Sequence, residues 1–150
     1  MDATIARSIA HVAHTGRRDR FGEPLIEHVE RVAAAVPDDV RAIAYLHDVL
    51  EHSDTPVDEL RAEGLTALEL AALQVLTRDP GESYEAHTLR VAHARGPEGE
   101  LARLVKLADL ADHLAHAALP DRAPPYGWAR MHVANAHQRL DAARGDRAAA

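Results

Sequence analysis

Cysteine is absent from this 150-residue chain, and aromatic residues make up only 3% of it. The lack of cysteine excludes disulfide bonds and thiolate metal sites, and it is typical of proteins in a reducing cytoplasm. Hydrophobic residues nevertheless make up 47% of the chain, which is long enough for one domain with a proper core. With so few aromatics, we expect that core to consist of Leu, Val, Ile and Ala, as in helical bundles.

Long apolar runs are also lacking. No stretch of about 18 uncharged apolar residues occurs, and the N-terminus has no basic region followed by an apolar run. We therefore expect neither a membrane span nor a signal peptide, and we expect a cytoplasmic location. The net charge of -7 argues against a protein that binds the nucleic-acid backbone. Positive charge comes almost entirely from arginine, because Lys106 is the only lysine.

Apolar residues recur every three to four positions along most of the chain, without strand-like alternation or internal repeats. This pattern predicts an all-α, single-domain bundle of about seven to eight helices over residues 1–150. Prolines, glycines and capping residues delimit the predicted helices, which are 3–14, 24–36, 44–52, 55–64, 66–77, 83–94, 98–119 and a closing helix within 120–143. The tail at 144–150 is expected to fray.

Two local patterns make sharper predictions. Thr66 and Glu69 have the spacing of a capping box, in which each residue satisfies a backbone N–H of the other. In the first helix, Ile5, Ile9, Val12 and Ala13 are predicted to face the core.

Four polar residues lie on helix faces that are otherwise apolar: His28, His47, Asp48 and Asp109. Burying an imidazole or a carboxylate costs several kcal/mol unless a partner replaces the lost water. One such residue alone is more often a satisfied core histidine, or an aspartate that pairs with arginine. Four together predict a shared divalent cation, and their mixed nitrogen and oxygen donors suit Mn(II), Fe(II), Ni(II) or Zn(II) better than Ca(II).

Four longer stretches, three of which contain these residues, read AHTGRRDRFGEPLIEHVERVA (13–33), AYLHDVLEHSD (44–54), VLTRDPGESYEAH (75–87) and VKLADLADHL (105–114). In this order they resemble the motifs of HD-domain metal-dependent phosphohydrolases, over about residues 5–115. Within that superfamily they are most similar to the RelA/SpoT-type (p)ppGpp hydrolase domain and its small stand-alone relatives. The resemblance implies a helical bundle of the HD-domain type and metal ligation by His28, His47, Asp48 and Asp109, with Mn(II) as the usual ion.

The same resemblance implies a catalytic role for Glu51 and makes its neighbour His52 a candidate for one. Glu51 stands where the family keeps a glutamate that positions or deprotonates the attacking water, and it follows Asp48 by three residues on the same helix face. A solvated charge at a helix end is the alternative interpretation of Glu51. His52 replaces the second acid of the family motif HDxxED, and it could shuttle protons, add a metal ligand or be an inert replacement.

Phosphate contacts are expected from nearby cations, whose donors suit phosphate oxygens, and the candidates are Arg18, Arg20, Arg78 and Lys106. Lys106 precedes Asp109 by three residues and could instead pair with a core carboxylate. Tyr84 could stack on a base or fill the edge of the core. His113, a further candidate for substrate binding, stands where the family has an asparagine. Asp19 stands where the family has an arginine that stacks on guanine.

The sequence therefore predicts a metal-dependent phosphohydrolase whose partner is a small phosphorylated nucleotide. Two alternatives stay open: the same chemistry on another nucleotide or phosphate ester, and a catalytically inactive domain that binds metal and nucleotide for regulation. Neither nucleic acid nor a membrane is an expected partner. The apolar last helix could form a homodimer interface as well as cap the bundle.

Overall fold

The computed structural model describes residues 1–19, 22–116 and 125–148, with side chains described as far as 145. These residues form nine α-helices, named α1 to α9 in chain order, with the bounds Ala3–Ala13, Leu25–Ala34, Arg41–Leu46, Val49–His52, Val57–Ala62, Ala67–Leu76, Tyr84–His93, Gly96–His116 and Tyr126–Ala148. The described residues contain no β-strand, only an isolated bridge between Arg18 and Pro24. The predicted all-α fold is confirmed.

Side-chain caps determine where several helices begin. Asp2 accepts backbone N–H groups at the start of α1, and Ser83 does so at the start of α7. At the start of α6, Thr66 accepts the N–H of Glu69, while the Glu69 carboxylate accepts the N–H of Thr66. The predicted capping box is confirmed.

The helix predicted through 44–52 is divided into α3 and α4, which adds one helix to the predicted number. The division occurs because the backbone leaves the regular α-helical pattern at His47 and Asp48. The His47 N–H points to the carbonyl of Ala44, three residues back, at 3.5 Å, and Asp48 has φ -100° and ψ -6°. The break places the two predicted ligands between helices rather than within one.

The closing helix also differs from its prediction. It extends to Ala148, past the end predicted at 143 and into the tail predicted to fray. Alanine and arginine favour a helix here, and Gly145 costs only ~1 kcal/mol in a helix interior. Residues 117–124 lie outside the described part of the chain. They include the predicted end of the helix 98–119 and the predicted start of the closing segment.

The main core lies where α1, α2, α3, α6 and α8 meet, and its fully buried side chains include Val29, Val32, Ile43, Leu46, Leu73 and Val105. The stripe predicted for α1 is correct in part. Ile9 and Ala13 pack against the core, but Ile5 and Val12 are 38% and 78% exposed, and the fully buried residues of the helix are Ala6 and Ala10. The first helix packs on α3 through this alanine face.

Helix α8 is the centre of the architecture. It packs against α2, α6, α7 and α9, and it separates the main core from a smaller one formed with α7 and α9. Asp109, in the middle of α8, is only 3% exposed. Across the described residues, no helix combines the length and the apolar character needed to cross a membrane.

Candidate metal centre

A cleft of about 440 Å³ opens where the ends of α2, α3 and α4 face α8. Its lining includes every predicted site residue that the structure describes: Arg18, His28, His47, Asp48, Glu51, His52, Arg78, Tyr84, Lys106, Asp109 and His113. The remaining candidate, Arg20, lies outside the described residues. The fold thus gathers residues from distant parts of the sequence around one cavity.

His28 lies on α2 at the floor of this cleft and is 4% exposed. Its Nδ1 is 2.8 Å from Oδ2 of Asp112, so the Nδ1–H donates to that carboxylate. Its Nε2 faces Asp109, with Oδ1 at 3.4 Å, but it has no hydrogen-bond partner among the described residues. The bond to Asp112 therefore turns the free edge of the imidazole towards Asp109.

His47, at the break after α3, has a matching arrangement. Its Nδ1–H donates to the carbonyl of Ala44 at 2.7 Å, and the side chain is 6% exposed. Its Nε2 also lacks a hydrogen-bond partner within the described structure and lies 3.5 Å from Oδ1 of Asp48. In both rings, one nitrogen is oriented by an acceptor while the other faces a carboxylate.

This arrangement is typical of histidines that bind metal. A ligating histidine usually donates its other N–H to a carboxylate or a backbone carbonyl, which fixes the tautomer and leaves a lone pair for the ion. Buried polar atoms without partners are rare in native proteins, and each one calls for an explanation. Two such atoms beside two carboxylates are explained by a divalent cation.

Asp109 supplies a buried carboxylate from α8. Its Oδ2 accepts from Nζ of Lys106 at 2.7 Å, while its Oδ1 lies 3.0 Å from Nε2 of His113. Burial raises the pKa of Asp109, but Lys106 and the imidazoles of His113 and His28 outweigh burial and hold this pKa well below its usual value. Asp109 is therefore ionised, with one oxygen fixed by lysine and the other facing the histidines.

Asp112 and Arg31 form a hydrogen-bonded pair on the Nδ1 side of His28. The Arg31 guanidinium donates to both oxygens of Asp112, at 2.6 and 3.0 Å. Burial raises the pKa of Asp112, but His28 and Arg31 hold it well below its usual value. Burial also lowers the pKa of His28, yet Asp109 and Asp112 outweigh it and raise that pKa to about 10. Without a cation, Nε2 of His28 would therefore hold a proton, which a metal ion has to displace on binding. The sequence prediction missed Asp112, although it follows Asp109 by three residues on the same helix face.

The ligand atoms form two overlapping groups that could hold a metal ion. His28, His47 and Asp48 form one group, and His28, Asp109 and His113 form the other, with the ligand atoms of each group within 4.8 Å of one another. Neither group contains all four predicted ligands, because Asp109 lies in one group and His47 and Asp48 lie in the other, with His28 shared. The pKa of Asp48 is also lowered, because His47 and His28 outweigh the opposing effect of burial. Each group has the mixed nitrogen and oxygen donors that suit a divalent cation.

Glu51 and His52, the predicted catalytic residues, lie on the exposed side of the cleft at the end of α4. The Glu51 carboxylate accepts the backbone N–H of Arg78 at 3.3 Å and lies 3.5 Å from its guanidinium. Two predicted site residues are thus paired with each other, and the loop after α6 positions Glu51.

The predicted substrate residues occupy several depths of the cleft. Arg18 is exposed at its rim and donates to the carbonyl of Gly22, while Lys106 lies deeper and pairs with Asp109. Burial raises the pKa of Tyr84 to about 12. The ring of His113 stacks on Tyr126, with centroids 4.6 Å apart.

The lining also includes residues to which the sequence interpretation gave no role: Arg17, Leu25, Leu76, His87 and Tyr126. His87 is 4% exposed, and its Nε2 has no hydrogen-bond partner in the described part of the chain. It falls within the stretch 75–87, but its position relative to the cleft depends on how α7 packs on α8.

No model of a known protein family matches the chain, and no curated protein matches it in sequence.

Proposed function

We propose that the chain is a metal-dependent phosphohydrolase of the HD type that acts on a small phosphorylated nucleotide, in the manner of a small (p)ppGpp hydrolase. One observation carries the proposal. Two buried imidazoles each present an unpartnered Nε2 to a carboxylate at the floor of one cleft. The order of the HD-like motifs along the sequence adds support.

The proposed ligands are His28, His47, Asp48 and Asp109. Mn(II) is the ion expected from the resemblance, and Fe(II), Ni(II) and Zn(II) fit the same donors. When bound, such a cation supplies Lewis acidity, which favours water as a nucleophile at neutral pH and withdraws charge from a phosphoryl group. Lys106 holds Asp109, and Asp112 holds His28, so the ligand atoms are oriented by partners of their own.

Glu51 is the proposed general base. It follows Asp48 by one helical turn and lines the same cleft, so its carboxylate can take a proton from water that attacks a phosphorus atom near the ligands. The contact with Arg78 keeps the carboxylate on the cleft side of α4. His52, beside it on the rim, is placed to pass that proton to solvent.

The walls of the cleft suit an anionic ligand with an apolar part. Four cationic side chains line it, from Arg17, Arg18, Arg78 and Lys106, and four carboxylates balance them, so a bound cation would supply the net positive charge. Leu25, Leu76 and Tyr84 provide apolar surface against which a base or sugar could pack. Positive charge near the ligands would neutralise the charge that develops on a phosphoryl group.

One observation favours a substrate other than an alarmone. Asp19 lines the cleft where the related hydrolases have an arginine that stacks on guanine, and its carboxylate accepts the N–H of Glu23 at 3.0 Å. A carboxylate cannot provide the same cationic stacking surface. A different nucleotide or a simpler phosphate ester is therefore the second candidate.

The proposal is tested by hydrolysis assays on chelator-treated protein with added Mn(II). The panel comprises ppGpp, nucleoside mono-, di- and triphosphates, cyclic nucleotides and simple phosphate esters, and Asp48→Ala serves as the negative control. We expect metal-dependent release of phosphate or pyrophosphate from at least one nucleotide. Binding of nucleotide without turnover, with any of the four metals, would instead identify an inactive regulatory domain.

A further inference from the structure

We propose that a second cavity, separate from the metal centre, is a binding site for a phosphate dianion. The cavity has a volume of about 530 Å³ and lies between the start of α8 and the C-terminal half of α9. Its charged lining consists of three arginines and one glutamate: Arg95, Arg103, Arg144 and Glu100. None of these residues lines the cleft of the metal centre, so the proposal is independent of the proposed function.

Arg103 is buried in this cavity without an anionic partner. It is only 2% exposed, and it forms no ion pair with a carboxylate among the described residues. Its Nε likewise has no hydrogen-bond partner there. Burial lowers the pKa of Arg103, because the nearby charges of Asp141 and Glu100 do not outweigh the loss of water. Arginine is almost never fully buried unless it is paired, and an anion in the cavity would supply the counter-charge.

A structural contact accounts for only part of the Arg103 guanidinium. Its Nη1 donates to the carbonyl of Ala94, the residue that caps the end of α7, and this bond holds the turn between α7 and α8. A guanidinium has five N–H donors, however, and a neutral side chain could satisfy one carbonyl without the cost of burying a charge. The remaining donors suit an oxyanion, whose oxygens can accept them in pairs.

The charges of the lining indicate which anion fits. Arg144 pairs with Glu100, whereas Arg95 is exposed and has no ion-pair partner in the described part of the chain. Three guanidinium groups and one carboxylate leave two positive charges unbalanced. Asp141, which also acts on the buried guanidinium, lies outside the lining and pairs with His137 at 3.2 Å. A phosphate group matches this balance, because it carries about 1.5 to 2 negative charges at pH 7.

The rest of the lining is apolar or small. It consists of Gly96, Pro97, Leu140 and Ala143. Such a surface can pack against the carbon atoms of a ligand whose anionic group is held by the arginines. Inorganic phosphate and a small phosphate monoester therefore share the chemistry of this site, and their relative affinities distinguish them.

The test is an NMR titration that follows the arginine Nε–H signals of the metal-free full chain at pH 7 and constant ionic strength. The ligands are inorganic phosphate, glycerol 3-phosphate and acetate, and loss of a signal in R103K identifies Arg103. We expect phosphate to shift this signal to saturation, and R95A to weaken binding by at least ~10-fold, as for loss of a charged contact. The control R130A removes an exposed arginine of α9 outside both cavities and should titrate like wild type.

The site is overturned if phosphate does not shift the Arg103 signal, or if wild type and R95A bind phosphate equally well. Tighter binding of acetate than of phosphate would overturn the assignment to a phosphate dianion. Tighter binding of glycerol 3-phosphate than of inorganic phosphate would support the site and identify a monoester as its ligand, and the opposite order would support inorganic phosphate. If R103K does not fold, through-bond assignment from the backbone identifies the Arg103 signal in wild-type protein.

Discussion

Two polar clusters in this molecule differ in how completely their side chains are hydrogen-bonded within the described residues. In the Arg90 cluster, the guanidinium of Arg90 donates to both oxygens of Glu82 at 2.8 Å and to the carbonyls of Val75 and Thr77 at 3.0 and 2.9 Å. In the metal-centre cluster, His28 and His47 each use one ring nitrogen and leave the other without a hydrogen-bond partner among the described residues.

The difference separates a structural network from a binding site. The Arg90 cluster satisfies its donors within the chain and ties the end of α6 to α7, as expected for a network that stabilises the fold. The metal-centre cluster orients its side chains equally well but directs its remaining lone pairs to one region of the cleft. Variants of the metal centre should therefore change binding and turnover, whereas variants of the Arg90 cluster should change stability.

The largest effect is expected for Asp48→Ala, which should remove bound metal and hydrolysis together. The substitution deletes a charged ligand, the carboxylate that faces Nε2 of His47. Metal analysis and the hydrolysis assay measure the two effects on the same sample. Asp58→Ala, which removes an exposed aspartate paired with Arg61, is the control. Full metal occupancy in Asp48→Ala would show that the ligand assignment is wrong.

Glu51→Gln should separate metal binding from chemistry. We expect it to retain the metal and to lower turnover by ~100-fold or more, as for removal of a general base. The control is Glu59→Gln, an exposed glutamate on α5. Unchanged turnover in Glu51→Gln would remove this residue from the mechanism.

Asp112→Asn should weaken metal binding without changing any proposed ligand. It removes the negative charge that holds His28 and Arg31, so the affinity for metal should fall by ~10- to 100-fold. Isothermal titration calorimetry measures the change, with Asp141→Asn as the control because Asp141 pairs with His137 at the surface of α9. Equal affinity in wild type and Asp112→Asn would contradict the supporting role of this carboxylate.

Arg90→Ala should change stability rather than metal binding. The loss of its charged hydrogen bonds should lower the free energy of unfolding by about 2–3 kcal/mol, while the affinity for metal stays unchanged. Urea denaturation of metal-free protein and titration with metal give the two quantities. A fall in metal affinity without a change in stability would contradict the assignment of the Arg90 cluster as a structural network.

The smallest effect is a pH dependence within the Arg90 cluster. Arg90 lowers the pKa of Glu82 from 4.5 to about 2. Because the pKa is lower in the folded state, Glu82 contributes stability above pH 4.5, and this contribution is lost as the pH falls towards 2. The difference in unfolding free energy between wild type and Arg90→Ala should therefore shrink over that range. A difference that stays constant from pH 5 to 3 would assign the stabilisation to the backbone contacts of Arg90 alone.

Much of the fold follows from local patterns in the sequence. The capping box of Thr66 and Glu69 depends on spacing within one helix, and it is present. The break at His47 and Asp48 could not be predicted, because helix-compatible residues lie on both sides of it. The buried face of α1 was predicted only in part, since Ile9 and Ala13 pack against the core but Ile5 and Val12 do not, and the choice of face depends on the fit against α3.

Some features of the site could likewise be predicted from the sequence, and others could not. Asp112 could have been recognised from its spacing after Asp109, because position on one helix determines which side chains share a face. The orientation of His113 could not have been predicted, since it depends on stacking against His28 from α2 and Tyr126 from α9. Contacts between distant helices decide which of the polar residues face a common point.

The central claim is that one divalent cation is held jointly by His28, His47, Asp48 and Asp109. Anomalous X-ray diffraction from a crystal grown with Mn(II) tests it most directly. We predict one anomalous peak per chain in the cleft, in contact with both Nε2 atoms and with an oxygen of each carboxylate. A crystal that shows no peak in the cleft at saturating Mn(II), or a peak that these four side chains do not contact, would contradict the account.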